Sequence, residues 1–243
     1  PQTGKLIYNP RSLTVSANSF DINSKNNLLA IGGSDGKVYL FDYYNLKFIT
    51  SYTARSVAIT SVSIHPDAKY LAFSDKYDYN NGGSNVYVVD LQTGKTVNQI
   101  SNGNEVGQVV FSPDGKNFAY NNNAGYYGDF LSPKDKLIKM EGAAETSLSF
   151  TSDGKKILGA DGKNGRLYNA GDKTSLWTTD RIWVHANAIS PDQKYIANVG
   201  SKKLIELKKL KGIYTSDEIL LKAKSRNFTF TYRSEERRVG KEC

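Results

Sequence analysis

The chain repeats itself about every forty residues, and this constrains its fold more than any other property. The unit reads apolar-x-apolar, then a turn with Pro/Ser-Asp-Gly/Ala-Lys, then an apolar residue followed by Ala. Its copies run Phe20–Ala30, Val62–Ala72, Val109–Ala119, Leu148–Leu158 and Ala188–Ala197. The anchors Ile22, Ile64, Phe111, Phe150 and Ile189 lie 42, 47, 39 and 39 residues apart, and Phe228–Phe230 opens a sixth copy 41 residues on. A fixed period of this size marks a repeat architecture, in which one unit cannot bury its apolar face without its neighbours.

Each unit carries four short strands. Strand a is the anchor, and Pro and Gly in the Ser-Pro-Asp-Gly-Lys turn pre-set a tight reversal into strand b. Asp35-Gly36 and Asp161-Gly162 are hairpin signals. Strand c alternates cleanly, as in Lys37–Asp42 and Asn85–Asp90, and the turn Leu91–Lys95 introduces strand d at Thr96–Ile100. Segment 202–224 has the makings of a short amphipathic helix, but its place in the repeat favours strand c and a turn. Gln2–Lys5 repeats Gln92–Lys95, so the chain opens inside a c–d turn. The expected fold is all-β: a single β-propeller over 1–232 with five whole four-stranded antiparallel blades, a leading strand d and a trailing strand a.

The last eleven residues, Arg233–Cys243, read differently and resemble the in-frame translation of a short-read sequencing adapter. They are set aside from fold reasoning. Cys243 is the only cysteine, so disulfides, Cys-zinc sites and thiol catalysis drop out. Removing four cationic and three acidic residues with the tail takes the formal net charge from +8 to +7. Pro1 stands where an initiator Met would, so the lack of a targeting segment carries no information; the compartment stays open, with a lean to the cytoplasm. No apolar run approaches the roughly 18 residues of a membrane-crossing helix.

With Gly33–Asp42 in strand c and the repeated Ser-Pro-Asp-Gly-Lys turns, residues 1–232 resemble the WD-repeat β-propellers. The sequence departs from that family at Phe41-Asp42 and Val89-Asp90, where the family has Trp-Asp, and its Gly-His before strand a is missing. The family's buried His–Asp–Ser/Thr–Trp network is therefore incomplete, which favours the broader WD-like class that includes YVTN-type repeats. The resemblance implies a scaffold role, with b–c and d–a loops on one face. It also implies that a leading strand d (5–9) can complete a blade begun by 228–232; six or seven blades are equally allowed.

Enzyme signatures are sparse. There is no Gly-x-Gly-x-x-Gly, no complete phosphate-cradling loop and no His-Glu-x-x-His. The two histidines, His65 and His185, sit in or beside strand a anchors three blades apart, which favours structural roles over a base or a two-His metal site. Asp67, Asp114, Asp153 and Asp192 recur at one turn, as a repeated structural device would. Asp161–Gly165 lacks the alternating oxygen ligands of a calcium loop. No metal and no cofactor are expected.

The blades differ most in their loops. Asp75–Ser84 and Asn121–Gly128 read as long b–c loops bearing Tyr77, Tyr79, Tyr126 and Tyr127, while Arg55, Arg181, Trp183 and His185 precede strand a and are expected on the same face. Aromatic, Asn and Arg side chains together suit partner recognition. The expected function is a non-catalytic scaffold binding a protein or peptide there, so that Arg55→Ala with Trp183→Ala weakens capture without unfolding. The alternative is an accessory or substrate-gating domain of a larger enzyme. A third reading uses Lys202, Lys203, Lys208, Lys209 and Lys211 as an anion-binding patch for nucleic acid or membrane, with binding that collapses in salt. Glu206, Asp217 and Glu218 interrupt that patch and disfavour a nucleic-acid partner.

Overall fold

The computed structural model describes residues 15–140, 147–160, 165–172, 175–178, 184–190, 192–200, 204–211 and 215–224. Over these the repeat becomes five four-stranded antiparallel sheets, each a meander in chain order. Sheet one holds β1 (Ala17–Asn23), β2 (Leu28–Gly33), β3 (Lys37–Asp42) and β4 (Lys47–Thr53). Sheet two holds β5 (Ile59–Ile64), β6 (Tyr70–Asp75), β7 (Ser84–Asp90) and β8 (Thr96–Asn102). Sheet three holds β9 (Val109–Phe111), β10 (Phe118–Asn121), β11 (Gly125–Gly128) and β12 (Ile138–Met140). Sheet four holds β13 (Ser147–Phe150), β14 (Lys156–Ala160), β15 (Gly165–Asn169) and β16 (Ser175–Thr178). Sheet five holds β17 (Val184–Ile189), β18 (Tyr195–Gly200), β19 (Leu204–Lys211) and β20 (Thr215–Lys224). The segment with helical potential thus runs as two strands. The leading strand d and trailing strand a lie outside the described residues, as do 161–164.

The a–b turns show why the sequence motif recurs. Ser112, Thr151 and Ser190 each donate a hydroxyl hydrogen bond of 2.6 Å to Asp114, Asp153 and Asp192 two residues on. Each hydroxyl oxygen also accepts from the backbone N–H five residues on, at 3.0, 3.0 and 2.9 Å. In sheet two His65 occupies that position: its Nδ1 accepts from Asp67 N at 3.1 Å, and its Nε2 reaches Gly115 O of the next turn at 2.8 Å. That pairing fixes the tautomer with the proton on Nε2. The ring is buried edge-on against Tyr70, Phe111 and Phe130, so His65 is a structural pin between two sheets.

The apolar core is divided among the spaces between sheets. Alternation along each strand sends neighbours to opposite faces. Leu71 and Phe73 therefore pack with Val38 and Leu40 of sheet one, while Ala72 between them packs with Phe111, Phe118 and Tyr120 of sheet three. Ala119 and Met140 then meet Leu148, Ile157 and Tyr168, and Leu158 and Leu167 meet Ile196. Phe20 and Ile22, the counterparts of buried Val62 and Ile64, are 70% and 51% exposed, because no described sheet covers that face of sheet one.

First strands of successive sheets lie side by side and are fastened by side chains. Asp21 accepts from Ile64 N (2.7 Å), Ser61 from Val109 N (3.1 Å), Ser63 from Phe111 N (3.1 Å), Gln108 from Leu148 N (2.7 Å) and Ser147 from Asn187 N (3.3 Å). A cavity of about 530 Å³ opens among these strands near their a–b turns, bordered by Asp21, Ser63, Gln108 and Ser149.

Candidate functional site

Blade two carries the long b–c connection, residues 76–83, against the three-residue turns 34–36 and 122–124 of blades one and three. Asp78 and Gly83 exchange both backbone hydrogen bonds at 3.0 Å, pinching the loop into a closed hairpin. Gly82 and Gly83, with φ of 74° and 124°, supply a backbone that other residues adopt only under strain. At its tip Tyr79 is 90% exposed and meets Tyr77 edge-on at 4.8 Å.

Beneath the hairpin lies a buried polar cluster. Asp75, with no exposed surface, closes strand β6 after the buried Ser74. Arg55, from the d–a connection of blade one, grips it with Nε at 2.8 Å and Nη2 at 3.0 Å. Nη2 also donates to Gly83 O at 2.8 Å. Asp75 accepts further from Asn85 N at 2.6 Å and Tyr87 OH at 3.0 Å. Burial first, and then the Asp75 charge, pushes the Tyr87 phenol up to about 12. The Asn85 amide satisfies both its ends when its nitrogen donates to Ser101 Oγ at 2.8 Å and its oxygen faces Arg55 Nη2 at 3.1 Å.

Above this floor opens a cleft of about 750 Å³, lined by Arg55–Val57, Asp78, Asn80, Asn81, Asn85, Gln99 and Ser101. The lining is amide-rich and has two charged residues, Arg55 and Asp78. Asn81 Nδ2 (2.6 Å) and Asn80 N (2.9 Å) donate to Asp78 and hold its carboxyl below the usual range. Asp21, by the inner cavity, shifts the other way: burial raises it despite the Ile64 and Ile22 N–H groups it accepts from.

The expected site residues are placed unequally. Arg55 lines this cleft and Tyr77 and Tyr79 pair with each other in the hairpin beside it, but Arg55 is a brace rather than a free anchor, which corrects the expectation that it can be truncated without cost to folding. Tyr126 and Tyr127 belong to β11, not to a long loop, because the turn before them is just 122–124. Tyr126 stacks on buried Tyr120 at 4.9 Å with Lys134 Nζ 4.9 Å from its ring, and Tyr127 packs toward Phe150 between sheets three and four. Arg181 and Trp183 lie outside the described residues, and His185 falls within β17. Lys202 and Lys203 are likewise outside. Lys208, Lys209 and Lys211 fall in β19, whose register sets Lys209 opposite Glu218 and Glu206 opposite Lys222. Among the described residues no group of three metal-ligating side chains converges, and no helix is long and apolar enough to cross a membrane.

Asn80 and Asn81 fall in the long b–c loop that the sequence marked for recognition, whereas Asp75, Asp78, Gln99 and Ser101 were missed in the sequence. The available signal for Asp75 was a polar residue ending strand b just before that loop. Gly32–Gly36 also spells Gly-x-Ser-x-Gly around Ser34, but it forms the turn of the β2–β3 hairpin, not the strand-to-helix elbow that a nucleophile needs.

No family model matches the chain, and no curated protein matches it. Among solved structures it is similar to the β-propeller domain of Cps50 (Swd1) from Myceliophteria thermophila, with a TM-score of 0.70 at 16% identity, over 81% of this chain and 66% of that one. The chain thus spans just under two thirds of that domain's length. At this identity the likeness shows the fold alone: the chain is a β-propeller of four-stranded antiparallel blades.

Proposed function

We propose that the chain is a non-catalytic module that binds a protein or peptide in the cleft between blades one and two. The observation that carries this reading is the cleft's construction. Its floor is an ion pair held along one guanidinium edge, through Nε and Nη2, its lining offers exposed amides, and the exposed Tyr79 stands in the chain between the lining residues Asp78 and Asn80. A rigid base under adaptable polar contacts and one large aromatic suits recognition of extended chains. The titratable groups nearby are already committed: Asp75 to four donors, and Tyr87 to Asp75.

The test is selection of peptides from a displayed random library on the folded chain, followed by anisotropy titration. Tyr79→Ala with Asn80→Ala weakens the selected peptides by about tenfold or more, as loss of a hot spot does. Gln92→Ala, in the c–d turn at the other end of the blade, leaves them unchanged. Peptides sensitive to Gln92→Ala but indifferent to the cleft variants overturn the choice of face.

A further inference from the structure

The charges lining the cleft do not balance, and the imbalance indicates what it accepts. Arg55 and Asp78 are the charged groups of the lining. The Arg55 guanidinium is neutralised from below, with two hydrogen bonds to a carboxylate that has no exposed surface and a third to Gly83 O. To a ligand in the cleft that pair presents almost no net charge, so although Arg55 also attracts Asp78, the three groups together leave one negative charge, on Asp78. Its position is fixed by the two backbone bonds to Gly83, and its oxygens are oriented by Asn80 N and Asn81 Nδ2. Around it, the side-chain oxygens of Asn80, Gln99 and Ser101 are acceptors on exposed residues. One anion amid neutral acceptors matches a group with several N–H donors and a positive charge.

We propose that the cleft seats a basic side chain of the partner peptide, an arginine guanidinium or lysine ammonium, against Asp78 and the surrounding amide oxygens. This rests on the reading of the cleft as a peptide-docking site and names the chemistry it selects. An acidic side chain meets Asp78 as a like charge and is rejected.

The test uses the ¹⁵N-labelled chain and three capped tripeptides, Gly-Arg-Gly, Gly-Lys-Gly and Gly-Glu-Gly, followed by NMR. The arginine or lysine peptide, or both, produces saturable shifts at the backbone amides of Asn80, Asn81 and Gly83, and Gly-Glu-Gly produces none. Asp78→Asn removes the charge, keeps one of the two acceptor oxygens, and weakens the basic peptide about tenfold or more. Asp78→Lys, which tests charge without relying on the Asn variant, abolishes it. Equal shifts from the acidic peptide, no shift from either basic one, or indifference to both Asp78 variants overturns the proposal. Library peptides that need Tyr79 but carry no basic residue overturn this inference and leave the docking site standing. Failure of every library peptide to need the cleft overturns the docking site itself.

Discussion

Asp75 is a full charge with no exposed surface, tolerated because four donors from three residues, Arg55 and the β7 residues Asn85 and Tyr87, converge on it. Removing the guanidinium leaves that charge buried against two remaining donors. Arg55→Ala is therefore expected to lower unfolding stability by about 3 kcal/mol, read by urea denaturation. Tyr87 gives a matching alkaline signature. Its phenol ionises near 10 when unfolded and near 12 when folded, so the unfolded chain releases its proton first. The stabilising contribution is intact below about pH 10 and falls as pH rises toward the folded value. Tyr87→Phe is expected to flatten this limb in stability measured from pH 9 to 12. None of this network was legible in the sequence beyond Arg55 as a loop cation. Arg55 and Asp75 are twenty residues apart, and what brings them together is the stacking of one sheet on the next, which no local pattern encodes.

At the scale of the element, the turns were the most legible feature. The Asp-Gly pair at 35–36 marked a hairpin, but Gly36 is required for a further reason: a Cβ there would strike the carbonyl oxygen of Arg55 in the following d–a connection. Gly83 stands in the same relation to Asn102 O, whereas a Cβ on Gly82 would meet open space. Gly83→Ala is expected to cost more than about 2 kcal/mol and Gly82→Ala about 1 kcal/mol, compared by thermal melts. The a–b turns make an acid-side prediction. Asp114 and Asp192 are held below the usual carboxylate range chiefly by the Ser112 and Ser190 hydroxyls. For Asp153 burial pulls upward, but the Thr151 and Lys155 hydrogen bonds prevail and leave it lowered. A lowered carboxylate stabilises the fold above its unfolded value, and that contribution is lost as pH falls through the folded one. Ser112→Ala is therefore expected to destabilise at pH 7 and by less as pH falls through the folded value of Asp114, while the loss of the acceptor for Asn117 N remains at every pH. The misjudged element is β11, where the Asn-rich run before Tyr126 looks like a long loop. Composition marks a turn without giving its length, and the register of Gly125 with Asn121 limits it to three residues.

For the whole molecule, periodicity foretold the five four-stranded sheets of the described residues and their order, because each anchor carries apolar residues that a neighbouring sheet can bury. It did not show how the blades are joined. Asp21 and Ser63, the middle residues of two anchors, looked like spacers in an alternating strand, yet each accepts a backbone N–H of the next blade. Gln108 does the same just before its anchor, where Val110 cannot. Gln108→Leu strands the Leu148 N–H and is expected to cost about 1–3 kcal/mol. Hydrogen exchange locates the effect: the Leu148 amide exchanges faster while that of Ile64, two joints away, keeps its protection.

Four separate apolar fillings, each enclosed by two adjacent sheets, also bear on how such a molecule changes over generations. A substitution that enlarges a side chain disturbs one filling and leaves the others in register. Duplication of a forty-residue stretch inserts a new sheet together with a new filling, and disturbs no existing one. The chain is therefore a lineage of near-copies in which single units can drift, as blade two has with its inserted hairpin and its own ion pair, while the units around it go on meeting their neighbours as before.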